Sequence, residues 1–146
     1  MKPEEIYAFF DSYSKAVRSS DIDQIVCHYA QPYIAHALGN TFHFPDRAAA
    51  KASAASHIAK LRQWGLSNAR VIDVPFTIIS ETAAMAFPLW EVQPEKGDHW
   101  HMRLVYGLRK HPEGVLAELA VGDGEAIQMM QRYPDFFKTD FAPKVS

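Results

Sequence analysis

Apolar and polar positions alternate without a break from His99 to Lys110. Trp100, Met102, Leu104, Tyr106 and Leu108 form one set, and His99, His101, Arg103, Val105 and Arg109 the other. A period of two belongs to a strand, whose successive side chains point to opposite faces of a sheet. The large apolar set is expected to face the core, and the charged or small set solvent or a partner subunit. Gly107 falls in the second set and marks a bulge or a close backbone approach. The run is longer than an ordinary strand, which predicts a long, bent, central strand of an antiparallel sheet.

The N-terminal part carries a different period. After Pro3, Glu4 and Glu5, which suit a first helical turn, Ile6, Phe9, Phe10, Tyr13, Ala16 and Val17 recur at helical spacing. Ser19-Ser20-Asp21 supplies capping side chains. A second, shorter helix is predicted to turn Ile22, Ile25, Val26 and Tyr29 inward and to end at Gln31-Pro32. Tyr33 to Leu38 and Thr41 to Phe44 read as a hairpin around Gly39-Asn40. Pro45-Asp46 opens an alanine-rich third helix, with Ile58, Leu61 and Trp64 as its large apolar residues and Gly65 at its C-cap.

Strands then dominate: Ala69 to Ile79, Ala83 to Val92, the long alternating run, and Val115 to Val121. Pro88 predicts a bulge or an unpaired edge within the second of these. A short helix from Glu125 to Arg132 follows, then a tail with Phe136, Phe137 and Phe141. Helices with an embedded hairpin, followed by antiparallel strands, predict an α+β fold with the helices on one face of the sheet. Residues 1–134 read as one domain, and 135–146 as an aromatic tail docked on the domain or its dimer partner. A lid across the mouth of the fold is the other use for such a tail.

Composition narrows the classes. The 146 residues suffice for one domain with a real core. Fifteen basic against 17 acidic residues, a net charge of −2, give no electrostatic case for nucleic acid or an anionic membrane. No apolar run approaches the ~20 residues that span a bilayer, and the acids in MKPEEIYAFF are unlike a signal peptide. Cys27 stands alone, so an intramolecular disulfide is impossible. These features lead to the expectation of a cytoplasmic protein.

The order of elements, Tyr13 on the first helix, the phrase SSDIDQIVCHYA from Ser19 to Ala30, and the runs ETAAMAF and VYGLRKHPEGVL together resemble the nuclear transport factor 2-like superfamily. That resemblance implies a cone-shaped curved antiparallel sheet with three N-terminal helices on one face and a short C-terminal helix. The group includes ketosteroid isomerases, SnoaL-like polyketide cyclases, scytalone dehydratase and limonene epoxide hydrolase. A ketosteroid isomerase uses a helix-one Tyr and a protonated Asp as oxyanion hole, and a second Asp as base. Tyr13 matches the Tyr. The implied register puts Ala37, with His36 beside it, where the base would be, and Tyr106 where the protonated Asp would be. The full catalytic sets of the dehydratase and the epoxide hydrolase find no match either.

Candidate chemistry therefore comes from single residues. Glu118 shares strand parity with Leu116 and Ala120, and a carboxylate in an apolar cavity can serve as general acid or base. A register slip of one residue sends it to solvent instead. Glu118, His36 and Tyr13 are the catalytic candidates. Tyr106, Trp64, Phe87, Glu91, Trp100 and Met102 are the ligand-binding candidates. His99 and His101 share a strand face, but no third ligand is brought to them, so no metal and no cofactor are expected. The function expected is binding of an apolar or aromatic small molecule, with cofactor-independent isomerase, cyclase or dehydratase chemistry as its extension. The competing expectation is a dimerising or scaffolding module. In either case a homodimer is expected through the outer sheet face, with Val105, Trp90 and Val121 contributing.

Overall fold

The computed structural model of the chain describes residues 1–137. Helix α1 (Pro3–Arg18) buries Ile6, Phe9, Phe10, Tyr13 and Ala16 along the stripe that the sequence displays, and Ser14 with them. Helix α2 (Ile22–Val26) is a little over one turn, capped by the Asp21 carboxylate on the Gln24 amide. Strand β1 (Tyr29–Ala37) begins earlier than Gln31-Pro32 suggests. The chain accommodates Pro32 inside the strand, at a cis peptide bond where the register with the neighbouring strand shifts. Strand β2 (Asn40–Phe44) closes the hairpin, and Asp46 caps helix α3 (Arg47–Gln63) by accepting from the Ala49 amide. Gly65 takes the left-handed conformation (φ +72°) that ends the helix.

The second half contains β3 (Ala69–Asp73), β4 (Phe76–Ile78), β5 (Ala83–Ala86), β6 (Leu89–Val92), β7 (Trp100–Arg103), β8 (Val105–His111), β9 (Gly114–Val121) and helix α4 (Asp123–Arg132). Three of the long strands expected from the pattern are each cut in two. The cuts fall at Val74-Pro75, Phe87-Pro88 and Leu104, side by side across the sheet. They leave a six-stranded leaf, β2-β1-β9-β8-β5-β4, and a three-stranded leaf, β3-β6-β7. Pro75 and Pro88 lack the N–H that an unbroken ladder needs. Their carbonyls accept from Phe87 N (2.8 Å) and Leu104 N (3.2 Å), which stitch the crease. One pair, β1 with β9, is parallel, so the sheet is mixed rather than wholly antiparallel.

The crease bends the sheet around α1. Phe10, Tyr13, Trp90, Trp100, Met102, Leu104, Tyr106 and Leu108 meet in one core. Trp90 thus faces inward, against the Tyr13 ring at 5.8 Å, and is not part of the outer face assigned to a dimer. His28 is buried where α2 passes under α1. Its Nδ1–H donates to the Gln24 carbonyl (2.6 Å), so Nε2 accepts from Ser12 Oγ (2.9 Å). Burial lowers the His28 pKa, and hydrogen bonding to the Gln24 and Ile25 backbone only partly offsets it. Phe136 and Phe137 pack on α3, with Phe136 only 2% exposed and Lys60 Nζ 4.1 Å above its ring. Phe141 lies outside the described residues. Among the described residues no helix is long and apolar enough to cross a membrane.

Candidate functional site

A cavity of about 370 Å³ opens between α3, α4 and the concave side of the large leaf. Strand β1 contributes Tyr29, Tyr33, Ala35 and Ala37, with His36 beside them. Tyr33 is stacked between Tyr29 (centroids 4.2 Å, rings 3° apart) and Phe44 of β2 (5.9 Å). Helix α1 contributes Tyr13, β8 contributes Tyr106, and α3 contributes Ala50, Ser53, Ala54 and His57. The small side chains at 50, 53 and 54 leave the space into which His57 and the tyrosines project. An inner chamber of about 100 Å³ shares Tyr13, Tyr29, His57, Tyr106 and Glu125 with this cavity and adds Ile58, Leu61, Trp90 and Met102.

Two clusters of polar groups converge there. The first is a tyrosine group: Tyr13 and Tyr29 hydroxyls are 2.6 Å apart, and the Tyr106 ring meets that of Tyr13 at 5.8 Å. Burial raises the Tyr13, Tyr29, Tyr33 and Tyr106 pKa values well above the ordinary range. Neighbouring tyrosines add to this in each case, and the Glu125 charge adds to it for Tyr29, Tyr33 and Tyr106. All four hydroxyls therefore keep their protons at neutral pH, and one proton of the Tyr13–Tyr29 pair is held between those two oxygens.

The second is a pair: His57 Nε2 lies 3.0 Å from Glu125 Oε1. Burial alone would raise the Glu125 pKa, but the charge and hydrogen bond of His57 outweigh it and leave the carboxyl below its usual value. With Glu125 ionised, the bond needs a proton on Nε2. Glu125 is held in the first turn of α4 by a tight fit behind it: a Cβ on Gly124 would stand 2.0 Å from the Arg103 carbonyl oxygen.

The sequence candidates divide around this cavity. Tyr13, Tyr106 and His36 border it, although His36 is at the rim with Nδ1 3.0 Å from Thr41 Oγ1. Met102 lines the inner chamber, and Trp100 lies deeper in the core with Nε1 donating to the Tyr133 hydroxyl (3.0 Å). Trp64 packs on Phe136 (5.5 Å), behind the cavity wall. Phe87 sits in the crease, where its carbonyl accepts from Arg103. Glu118 is placed on the outer face, bonded to Arg109 Nε (3.2 Å) and His111 Nε2 (2.9 Å). The reason is a bulge: Gly107 pairs with Leu119 and Leu108 with Ala117, so Glu118 is the extra residue and parity reverses across it. Glu91 is also placed on an outer face, with Arg70 (3.1 Å), His101 (3.6 Å) and His99 (3.9 Å) around it. The Arg70 hydrogen bond is the main cause of its lowered pKa. Among the described residues no group of three or more His, Cys, Asp or Glu is arranged to hold a metal ion.

His57 and Glu125 were not singled out by the sequence pattern. The available signal was weak: Ala50, Ala54, His57 and Leu61 share one helical face, so a lone imidazole follows small residues on the side that carries the apolar ones. A wider depression of about 700 Å³ between α1 and β3 is open and carries the charged side chains of Asp11, Lys15, Arg18, Arg70 and Asp73. The enclosed aromatic cavity with convergent polar groups is the better candidate.

Comparisons with known proteins agree with this architecture. The family described as NTF2-like protein (DUF6841) matches residues 4–115. Among solved structures, a domain of unknown function with a cystatin-like fold from Nostoc punctiforme superposes with a TM-score of 0.67 at 12% identity, covering 99% of this chain and 98% of that one. A candidate calcium/calmodulin-dependent protein kinase II association domain from Xanthomonas campestris gives 0.64 at 10% identity, over 83% and 86% of the two chains. A candidate scytalone dehydratase from Novosphingobium aromaticivorans gives 0.59 at 12% identity, over 81% and 80%. No curated protein matches the chain.

Proposed function

Because the chain belongs to the NTF2-like family DUF6841, whose fold hosts many activities, we propose a function read from its own cavity: binding of an apolar or aromatic small molecule, with cofactor-independent acid–base chemistry upon it. The observation that carries this is the His57–Glu125 pair at the wall of a cavity otherwise built from aromatic and small residues. In this reading His57 takes or returns a proton, and Glu125 orients the ring and stabilises its cationic form. Tyrosine hydroxyls donate to the oxygen on which negative charge develops. Isomerisation, cyclisation and dehydration can each proceed with such a set. The candidate dehydratase among the structural neighbours supports the last of these as a starting point for substrates.

A screen of small aromatic alcohols and ketones, read by Trp fluorescence, is expected to give ligands for the wild-type protein and none for Ala54→Phe, which fills the cavity. For any compound that is turned over, His57→Gln is expected to lower kcat by about 10²–10⁴-fold. Ligands that bind Ala54→Phe as well as wild type would place the site elsewhere.

Assembly is the second reading, and one observation favours it. Ile34, Leu119, Gly107 and Met85 form a register-matched row across the outer face of the large leaf, with Val105 and Val121 beside it. An apolar band that the described residues leave partly exposed suits a second copy of the chain. Light scattering is expected to show a dimer for wild type and a monomer for Leu119→Lys. A wild-type monomer at tens of micromolar, roughly where weak homodimers still associate, would remove this reading.

A further inference from the structure

The walls of the main cavity continue past its rim on three elements. Strand β1 passes from Ala37, in the cavity lining, to Leu38 at the tip of the hairpin. Helix α4 passes from Ala126 to Met130, one turn on. Phe137 lines both the cavity and the space beyond it. That space is an open cleft of about 320 Å³, and its lining residues, Leu38, Met130, Pro134 and Phe137, are all apolar. Leu38 is 43% exposed and Met130 51%, so neither side chain serves the core. Leu38 also takes a left-handed backbone (φ +51°) at the first position of a two-residue turn, where Asn or Gly sits without strain. Its amide is tied to α4 by the Asp123 carboxylate, which accepts at 3.2 Å. A leucine held at a conformational cost, over no core and beside an apolar cleft, points to a ligand group that the cleft receives.

We propose that this cleft is the subsite for an unbranched alkyl chain carried by the ring compound of the main cavity, so that the ligand class is an alkyl-substituted aromatic. The continuity of the walls is what favours this occupant: a chain that leaves the cavity beside Phe137 passes directly onto Leu38 and Met130. A polar substituent would gain nothing there, because no donor, acceptor or charged side chain is among the lining residues of the cleft. The flexible thioether of Met130 can follow chains of different length. The ring stays in the main cavity with His57 and the tyrosines, and the chain lies outside it. This inference rests on the reading of the main cavity as a ligand site and is independent of the acid–base step.

Two probes with one head group separate the outcomes: 4-methylacetophenone and 4-hexylacetophenone. Wild type is expected to bind the hexyl compound about 30-fold more tightly, roughly twofold for each added CH₂, since an open cleft returns about half the free energy of full burial. The double variant Leu38→Asn/Met130→Gln keeps both the turn and the helix, because Asn suits a left-handed residue and Gln an exposed helical position. It is expected to bind the methyl compound like wild type and to retain less than about fivefold of the preference. In wild-type protein with ¹³C-methyl methionine, the Met130 methyl is expected to show nuclear Overhauser contacts to the hexyl chain and none to the methyl compound. This measurement stands even if the variant fails to fold. A full preference in the double variant, or a Met130 methyl without contacts to the chain, would overturn the subsite. So would equal affinities of the two probes in wild type, the result expected if the cleft is taken by residues 138–146, which lie outside the described residues. A variant that differs from wild type in assembly state would assign the cleft to a second copy of the chain instead. Binding of neither probe would remove the cavity reading itself, and this inference with it.

Discussion

Gly124→Ala is expected to destabilise the protein by about 3 kcal/mol, near the upper end for overpacking, and to separate Glu125 from His57. The added Cβ would meet the Arg103 carbonyl oxygen at 2.0 Å and its carbon at 3.1 Å. Both are backbone atoms at the crease, where β7 gives way to β8, and they have no rotamer through which to yield. The first turn of α4 would have to lift, and Glu125 is the next residue. Gly122→Ala is the matched control. Its Cβ would come no closer than 3.7 Å to the His36 carbonyl oxygen, an ordinary contact, and its stability should remain close to wild type. Urea unfolding of both variants checks this. Equal midpoints for the two would show that α4 is not wedged against the crease.

Phe136→Ala is expected to cost about 3–5 kcal/mol, a fall of roughly 10 °C in Tm for a chain of this size. Phe136 is 2% exposed, packed on the Trp64 ring at 5.5 Å and the Phe137 ring at 5.3 Å, beneath the Lys60 ammonium. It also borders the main cavity, so under the proposed function its loss should speed ligand exchange. Phe137 borders the cavity too but is only half-buried, and Phe137→Ala should cost less than half as much. Thermal melts and stopped-flow ligand release measure the two effects. A Phe136→Ala protein that melts like wild type would mean that the segment contributes nothing to the core.

Helix α1 was legible because its signal is local: five apolar residues at helical spacing bury the same face wherever the helix lies. The alternation from Trp100 to Leu108 was legible too, since those residues do face the core. Its unbroken length was not, because Leu104 carries no mark of the crease that passes through it. Pro88 did carry such a mark, and the strand breaks there. Glu118 shows the limit of parity arguments. One bulged residue reverses faces, and nothing in VLAELAV says which residue is extra. The His57–Glu125 pair was hidden for another reason. It joins two helices far apart in sequence, and what creates it is the absence of bulk at Ala50, Ser53 and Ala54, and at Gly124.

The crease has a consequence for how such a chain can change over time. The small leaf carries Trp90 and Met102 into the inner chamber, while the large leaf carries Tyr29 and Tyr106. The angle between the leaves sets the distance between these walls, and Pro75 and Pro88, which interrupt the ladder, border neither the main cavity nor the inner chamber. Under the proposed ligand-binding function, the size of molecule accepted is therefore set partly at positions outside the cavity lining. Two relatives with identical wall residues can hold molecules of different length, and a search for specificity confined to the lining would miss the residues that determine it.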